Sequence, residues 1–187
     1  MIAWERTFHS RRIQEANKAL LHALSTANVA DVVHARRIAE KAYGRARWKT
    51  QLEPAFNLRL SDAHLQHARI TGSSGDIEAA LECNPNNAEA LLFAGQLRYN
   101  QGWYEKAAYH LSTLLMLEPD NKEARHLCGR AYHNLSKTST GSMAHWYATV
   151  AKRFISAAHA SDPVRFPDFE TVVGKENLTV QQGAAVL

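Results

Sequence analysis

The chain has 187 residues, 45% of them hydrophobic and 21% charged, and a formal net charge of +4. That length suits one substantial core or a short array of repeats, and without a run of 18 apolar residues no helix is expected to cross a membrane. The basicity is local: residues 1–50 carry ten Lys and Arg against four acids, which leaves the rest of the chain at −2.

The opening stretch, MIAWERTFHSRR, lacks the apolar core of a secretory signal. It is basic and amphipathic, as mitochondrial presequences are, but Glu5 and Glu15 count against that reading. Cys83 and Cys128 both fall in stretches that read as helical, which suits buried thiols in a reducing compartment. The expected location is intracellular: cytoplasmic first, the interior of a mitochondrion or another organelle second.

Residues 1–53 read as a basic helical hairpin. Arg12–Leu24 places Ile13, Ala16, Leu20 and Leu24 at helical spacing, and Asp31–Trp48 does the same with Val32, Ala35, Ala39, Ala42 and Tyr43. Ser25–Asn28 supplies the turn between them. On the second helix Arg37, Lys41, Arg45 and Lys49 recur at every fourth position and form a basic stripe, with Arg36, Tyr43, Arg47 and Trp48 nearby. Such a stripe suits phosphates of RNA or of an anionic membrane, or an acidic protein surface. It also suits a plain solvated helix face.

From Pro54 to Pro163 a fixed period governs the pattern. It is clearest where PNNAEA at Pro85–Ala90 returns as PDNKEA at Pro119–Ala124, a step of 34. A first, loose unit spans Pro54–Asn87, with Leu60, Ser61, Ile77, Ala80 and Pro85 in register. Thr71–Gly75 (TGSSG) sits where its second helix should begin, so that helix is expected to be short. The clearest unit, Ala88–Asn121, places Leu91, Ala94, Gly95 and Leu97 on one side of a helix, with the small Gly95 allowing a close neighbour. Gly102 then supplies a turn, and Tyr104, Ala107, Ala108, Leu111, Leu114 and Leu115 mark a second helix. Pro119 ends it, and Asp120 or Asn121 caps the next.

The third unit opens with Lys122–Leu135, where Ala124, Cys128, Gly129, Ala131 and Tyr132 keep the register. Its second helix arrives late: Ala151, Ile155, Ala158 and Pro163 follow Ala107, Leu111, Leu114 and Pro119 by one period plus ten. SKTSTGS at Ser136–Ser142 reads as a surface loop holding the insertion, dispensable for folding. Beyond it, residues 164–187 read as an irregular tail, with extended structure at Thr171–Val173 and Thr179–Val180.

Leu91, Gly95, Gly102, Tyr104, Ala107, Leu111, Leu114 and Pro119, spaced as they are, resemble the tetratricopeptide repeat, a helix–turn–helix unit of that length. Arg98 departs from the family pattern, which has an aromatic there; Tyr132 restores one. The resemblance covers 54–163 and implies an all-α fold: a short superhelical array of antiparallel helical hairpins, flanked by the N-terminal hairpin and the tail. It also implies a groove lined by the first helix of each unit, which holds an extended or helical peptide. Carried over, the groove positions are Glu89, Leu92, Gln96, Tyr99 and Asn100 in one unit and Glu123, His126, Arg130, His133 and Asn134 in the next. The family's clamp for acidic chaperone tails uses Lys and Asn, which Leu92 and Gln96 do not reproduce.

Catalysis finds no support. Neither G-x-S-x-G nor a phosphate-binding glycine loop occurs. His64-Leu-Gln-His67 and Glu123-Ala-Arg-His126 are isolated fragments of metal motifs, lacking the second Glu-x-x-His of a di-iron site. The sequence therefore points to a non-catalytic adaptor, a scaffold subunit or assembly factor. Protein subunits or a partner peptide are its expected partners, RNA or an anionic membrane the alternative, with no metal, cofactor or small-molecule substrate.

Overall fold

Asn87 and Asn121 begin two helices in the same way in the computed structural model, which describes residues 28–43 and 53–174 together with 11, 14, 15, 18, 19, 22, 25 and 26. The Asn87 side chain accepts the backbone N–H of Ala90 at 3.1 Å, and Asn121 accepts that of Ala124 at 2.9 Å. Each fills one of the bonds a helix start leaves open, and each sets a fully buried alanine at the same place in the first turn. The turns before them match as well. Asn84 N–H bonds to Ala80 and Asn87 N–H to Asn84; one period on, Glu118 bonds to Leu114 and Asn121 to Glu118. Of the two candidate caps, Asn121 is the one used.

The described residues form helices, with no strand among them. In chain order these are α1 (Val29–Tyr43), α2 (Glu53–Thr71), α3 (Ser74–Cys83), α4 (Ala88–Asn100), α5 (Tyr104–Leu117), α6 (Lys122–Thr138) and α7 (Gly141–Ser161). Residues 169–174 add a short helical segment. None of these helices is long and apolar enough to cross a membrane. The chain divides into two compact units, Met1–Ala90 and Leu91–Leu187.

In the first unit α1 packs on α2 through Ala35, Ala42, Leu60 and Ala63, with Val29, Val33, Ile38 and Cys83 around them. Small residues let the two helices approach closely. Before α1, the described positions 11, 14, 15, 18, 19, 22, 25 and 26 are helical, so Ser25 and Thr26, expected in the turn, are helical instead. Asn87 ties the end of this unit to α2: its amide donates to the buried Ser61 hydroxyl at 2.9 Å and to Asp62 at 3.3 Å. As expected, α3 is short, at ten residues. Gly72, at φ +70°, turns the chain before it, and Ser73 caps it by accepting the Asp76 N–H.

The second unit holds two close glycine crossings. A Cβ on Gly95 would lie 2.5 Å from Leu111 Cγ, and one on Gly129 would lie 2.7 Å from Ile155 Cγ1. Leu111 and Ile155 are the very pair that the lengthened offset aligned. Both are fully buried, and each contributes about 1.5–3 kcal/mol by leaving water.

The insertion is corrected. Ser136–Ser142 is no loop: α6 runs through Thr138, and α7 starts at Gly141. Against α4 and α5, α6 is 17 residues rather than 13 and α7 is 21 rather than 14. With a turn one residue shorter, that accounts for the ten. The cause lies at matched positions. Gly102, at φ +78°, ends α4: its N–H bonds to Tyr99 and that of Trp103 to Arg98, a Schellman stop. Where Gly102 stands in that unit, α6 has Ser136, whose hydroxyl donates instead to the His133 carbonyl, and the helix continues. Gly141, at φ +63°, turns the chain later.

The tail is corrected as well. Thr171–Val173 is helical rather than extended, within the 169–174 segment, because Asp168 accepts the Thr171 N–H at 2.8 Å and caps it. Thr179–Val180 lies outside the described residues.

Candidate functional site

The expected groove positions fall into three groups. In the first unit, Glu89 is exposed and accepts from the Arg69 guanidinium at 2.9 Å. In the second, α4 and α6 join side chain to side chain along a row. Gln96 donates to Glu123 at 2.8 Å, and Asn134 donates to the Tyr99 hydroxyl at 3.1 Å and to its own Arg130 carbonyl at 3.3 Å. The Arg130 guanidinium lies 4.9 Å over the Tyr99 ring, a cation–π contact. Tyr99 in turn meets Tyr104 edge-on, its ring partly buried beside Ala107, Ala108, Ala131 and Leu135. Leu92 is half-buried and Asn100 exposed. A rigid aromatic anchor among hydrogen-bonding side chains suits recognition of a peptide.

The third group, Glu123, His126 and His133, is covered by the chain itself. After α7 the segment 162–174 crosses this part of α6. Arg165 pairs with Glu123 at 3.0 Å, so that carboxylate receives both Gln96 and Arg165. The Phe166 ring lies 5.1 Å from that of His126, and Phe169 meets His133 edge-on at 5.8 Å. Phe166 and Val172 are each only 5% exposed, and His133, expected to face a partner, is buried. His159 Nδ1–H donates to the Phe166 carbonyl at 2.9 Å and ties the segment back to α7. Sequence reasoning missed Arg165, Phe166 and Phe169. Their only signal is a basic residue followed by two phenylalanines three apart, in a stretch read as an irregular tail.

Arg98, the departure from the repeat pattern, is buried and stacks its guanidinium 4.8 Å over Trp103. Lys106 sits 4.6 Å from the same ring. Arg98 and Trp103 thus supply the side-chain contact that accompanies a Schellman stop. Tyr132, at the matching place, packs on Tyr147, Phe154 and Trp146 in the lengthened hairpin.

Of the basic stripe, Arg37 and Lys41 are exposed one turn apart on α1. Arg45, Arg47, Trp48 and Lys49 lie outside the described residues. His64 and His67 converge on Asp76, their Nδ1–H groups donating to its two oxygens at 3.1 and 2.8 Å. Burial raises the Asp76 pKa, but the bonds from His67, His64 and Ser73 outweigh it and bring the carboxyl below its usual value. Among the described residues no group of three or more His, Cys, Asp and Glu is arranged to hold a metal ion.

Neither Cys83 nor Cys128 forms a disulfide. Burial pushes Cys128 up to about 11, against the opposing hydrogen bond of Ser112, and raises the half-buried Cys83. Thiols held protonated are poor nucleophiles at neutral pH.

No protein-family model matches the chain, and no curated protein matches it.

Proposed function

We propose that this chain is a non-catalytic adaptor built as a tetratricopeptide-like array, a scaffold subunit or assembly factor that binds other protein subunits through the face of α4 and α6. The observation that carries this reading is the joined row Gln96–Glu123 and Tyr99–Asn134, with Arg130 over Tyr99. A short array gains stability from a neighbour, and the row presents an aromatic ring with polar groups on both sides.

A photo-crosslinking amino acid at Leu92 or Asn100 of the full chain, in its native cell, tests it. The expected outcome is one dominant protein adduct, lost when Tyr99→Ala is added to a chain that still melts normally. Adducts to nucleic acid alone, or protein adducts indifferent to Tyr99, would sink the reading.

A second reading, an RNA- or anionic-membrane-binding module, draws on the exposed pair Arg37 and Lys41. Phosphate binding through that pair should weaken steeply with added salt and fail in Lys41→Glu.

A further inference from the structure

The segment after α7 is seated on three of the positions expected to meet a partner, and its chemistry is specific. Arg165 supplies a cation to Glu123, Phe166 a ring to His126, and Phe169 a second ring to His133. The contrast within the segment is sharp. Phe166 and Val172 are 5% exposed while Val164 is 98% exposed, so selected side chains, not the whole segment, dock.

How it is held matters as much as where. None of its backbone bonds reaches α6: Phe166 N–H bonds to Asp162, Thr171 N–H to the Asp168 carboxylate, and the Phe166 carbonyl accepts from His159 at the end of α7. These links to α6 run through side chains, and the ion pair joins two partners that are 63% and 40% exposed. A helix of residues 169–174 is also too short to persist unaided. Elements with few buried contacts and local hydrogen bonds open at low free energy.

We propose that Arg165–Val172 is an internal peptide ligand. The α6 face formed by Glu123, His126 and His133 is a docking site for a partner segment of the form basic–aromatic–x–x–aromatic, and the chain's own copy competes with that partner. This rests on the peptide-binding reading of the face and names the chemistry of the peptide. Charge complementarity at Glu123 selects the basic residue, and ring contacts to the two imidazoles select the aromatic pair. A tethered competitor sets a threshold: a free peptide must outcompete an effective concentration in roughly the millimolar range.

Fluorescence anisotropy with a labelled synthetic peptide of residues 162–174, titrated with the full chain, tests this. The Phe166→Ala/Phe169→Ala chain, its face vacated, is expected to bind the peptide at least about tenfold more tightly than the unsubstituted chain. A peptide carrying both alanines should bind neither chain. Arg165→Glu, at an exposed position outside the packed core, should shift affinity in the same direction by about threefold. Equal binding by all three chains, or binding by none, overturns the proposal and makes the segment a permanent cap. Should the double variant fail to fold by circular dichroism, Arg165→Glu decides alone, and no gain there overturns it. Adducts at Leu92 or Asn100 that depend on Tyr99 can persist when this experiment fails, so the two readings fail separately.

Discussion

In the hairpin α4–α5 a glycine admits Leu111; in α6–α7 the glycine one period later admits Ile155, which comes ten positions beyond where that period would put it. The contact is kept and the length is not. In the shorter hairpin a left-handed glycine, Gly102, stops the first helix at once. In the longer one the helix continues past Ser136; Trp146 and Tyr147 meet Tyr132 beyond the crossing, and Phe154 meets it at the crossing itself. What repeats is therefore a packing contact between neighbouring helices. Chain length between the contacts is free to vary, provided the extra turns bring side chains that fill the space they create.

Breaking the crossings should have the largest effect. Gly95→Leu and Gly129→Leu are each expected to cost about 1–3 kcal/mol or more by overpacking, read as a lowered thermal midpoint. Their alanine versions sharpen the comparison. At Gly95 the near atoms all belong to the Leu111 side chain, so Leu111→Ala should relieve much of the Gly95→Ala penalty. At Gly129 the Ile155 backbone N and Phe154 Cβ also lie 3.1 Å from the new Cβ, so Ile155→Ala should relieve less. Unchanged melting of either leucine variant would mean that the helices do not cross there.

These crossings were legible because small residues at a fixed interval are a local signal with a long-range cause. Of the two Asn caps one was half legible, since Asp120 and Asn121 were both candidates and Asn121 is the one used; Asn87 was not foreseen as a cap. The form of the insertion was not. SKTSTGS is rich in residues that favour loops, yet Ser136 and Thr138 return their hydroxyls to helix carbonyls, and the missing glycine at 136 leaves nothing to stop the helix. The 169–174 helix was hidden behind β-branched Thr171, Val172 and Val173, whose propensity is outweighed by the Asp168 cap and by burial of Val172. The docking of Arg165 on Glu123, far apart in the chain, has no local signature at all. For the candidate face, the family resemblance put Gln96, Tyr99, Glu123 and Asn134 in one groove but could not show what already covers His126 and His133.

Deleting Lys137–Ser142 comes next in size. As a loop it would be dispensable. As helix ends it is not: the deletion removes the last two residues of α6 and the first two of α7, with the Gly141 reversal, and it shifts Trp146 and Tyr147 relative to Tyr132. A loss of about 2–3 kcal/mol is expected, lowering the midpoint by roughly 5–10 °C. Near-normal melting would show that the aromatic cluster adds little and that the longer hairpin is merely tolerated.

The two caps separate by a smaller margin. Asn121→Ala removes an exposed amide bond to Glu118 and one helix-start bond, and should cost about 1 kcal/mol. Asn87→Ala removes the same bond and also the amide that serves the buried Ser61 hydroxyl, so about 2 kcal/mol is expected. Adding Ser61→Ala to Asn87→Ala should recover part of that difference, because no buried hydroxyl is then left without its partner. Equal costs at the two asparagines would reduce Asn87 to a cap alone.

The smallest difference lies at the start of the second helix in each hairpin. Neither α5 nor α7 has a side-chain cap bond at its start, whereas α3 is held by Ser73 and by Asp76 between two imidazoles. The Asp76 carboxyl is lowered in the folded chain from its ordinary 3.8. A carboxyl lowered on folding adds stability that is present above its unfolded pKa and is lost as pH falls through the folded value. Melting curves from pH 6 downward should therefore show part of their acid loss begin just below pH 4, and Asp76→Asn should remove that part. The site is only partly screened from solvent, so roughly 0.5 kcal/mol or less is expected. His67→Ala should reduce the acid-sensitive part further than His64→Ala does, because the His67 bond is the shorter and lowers the carboxyl more. An Asp76→Asn chain with an unaltered acid limb would show that α3, like α5 and α7, starts without electrostatic help and is held in place by packing.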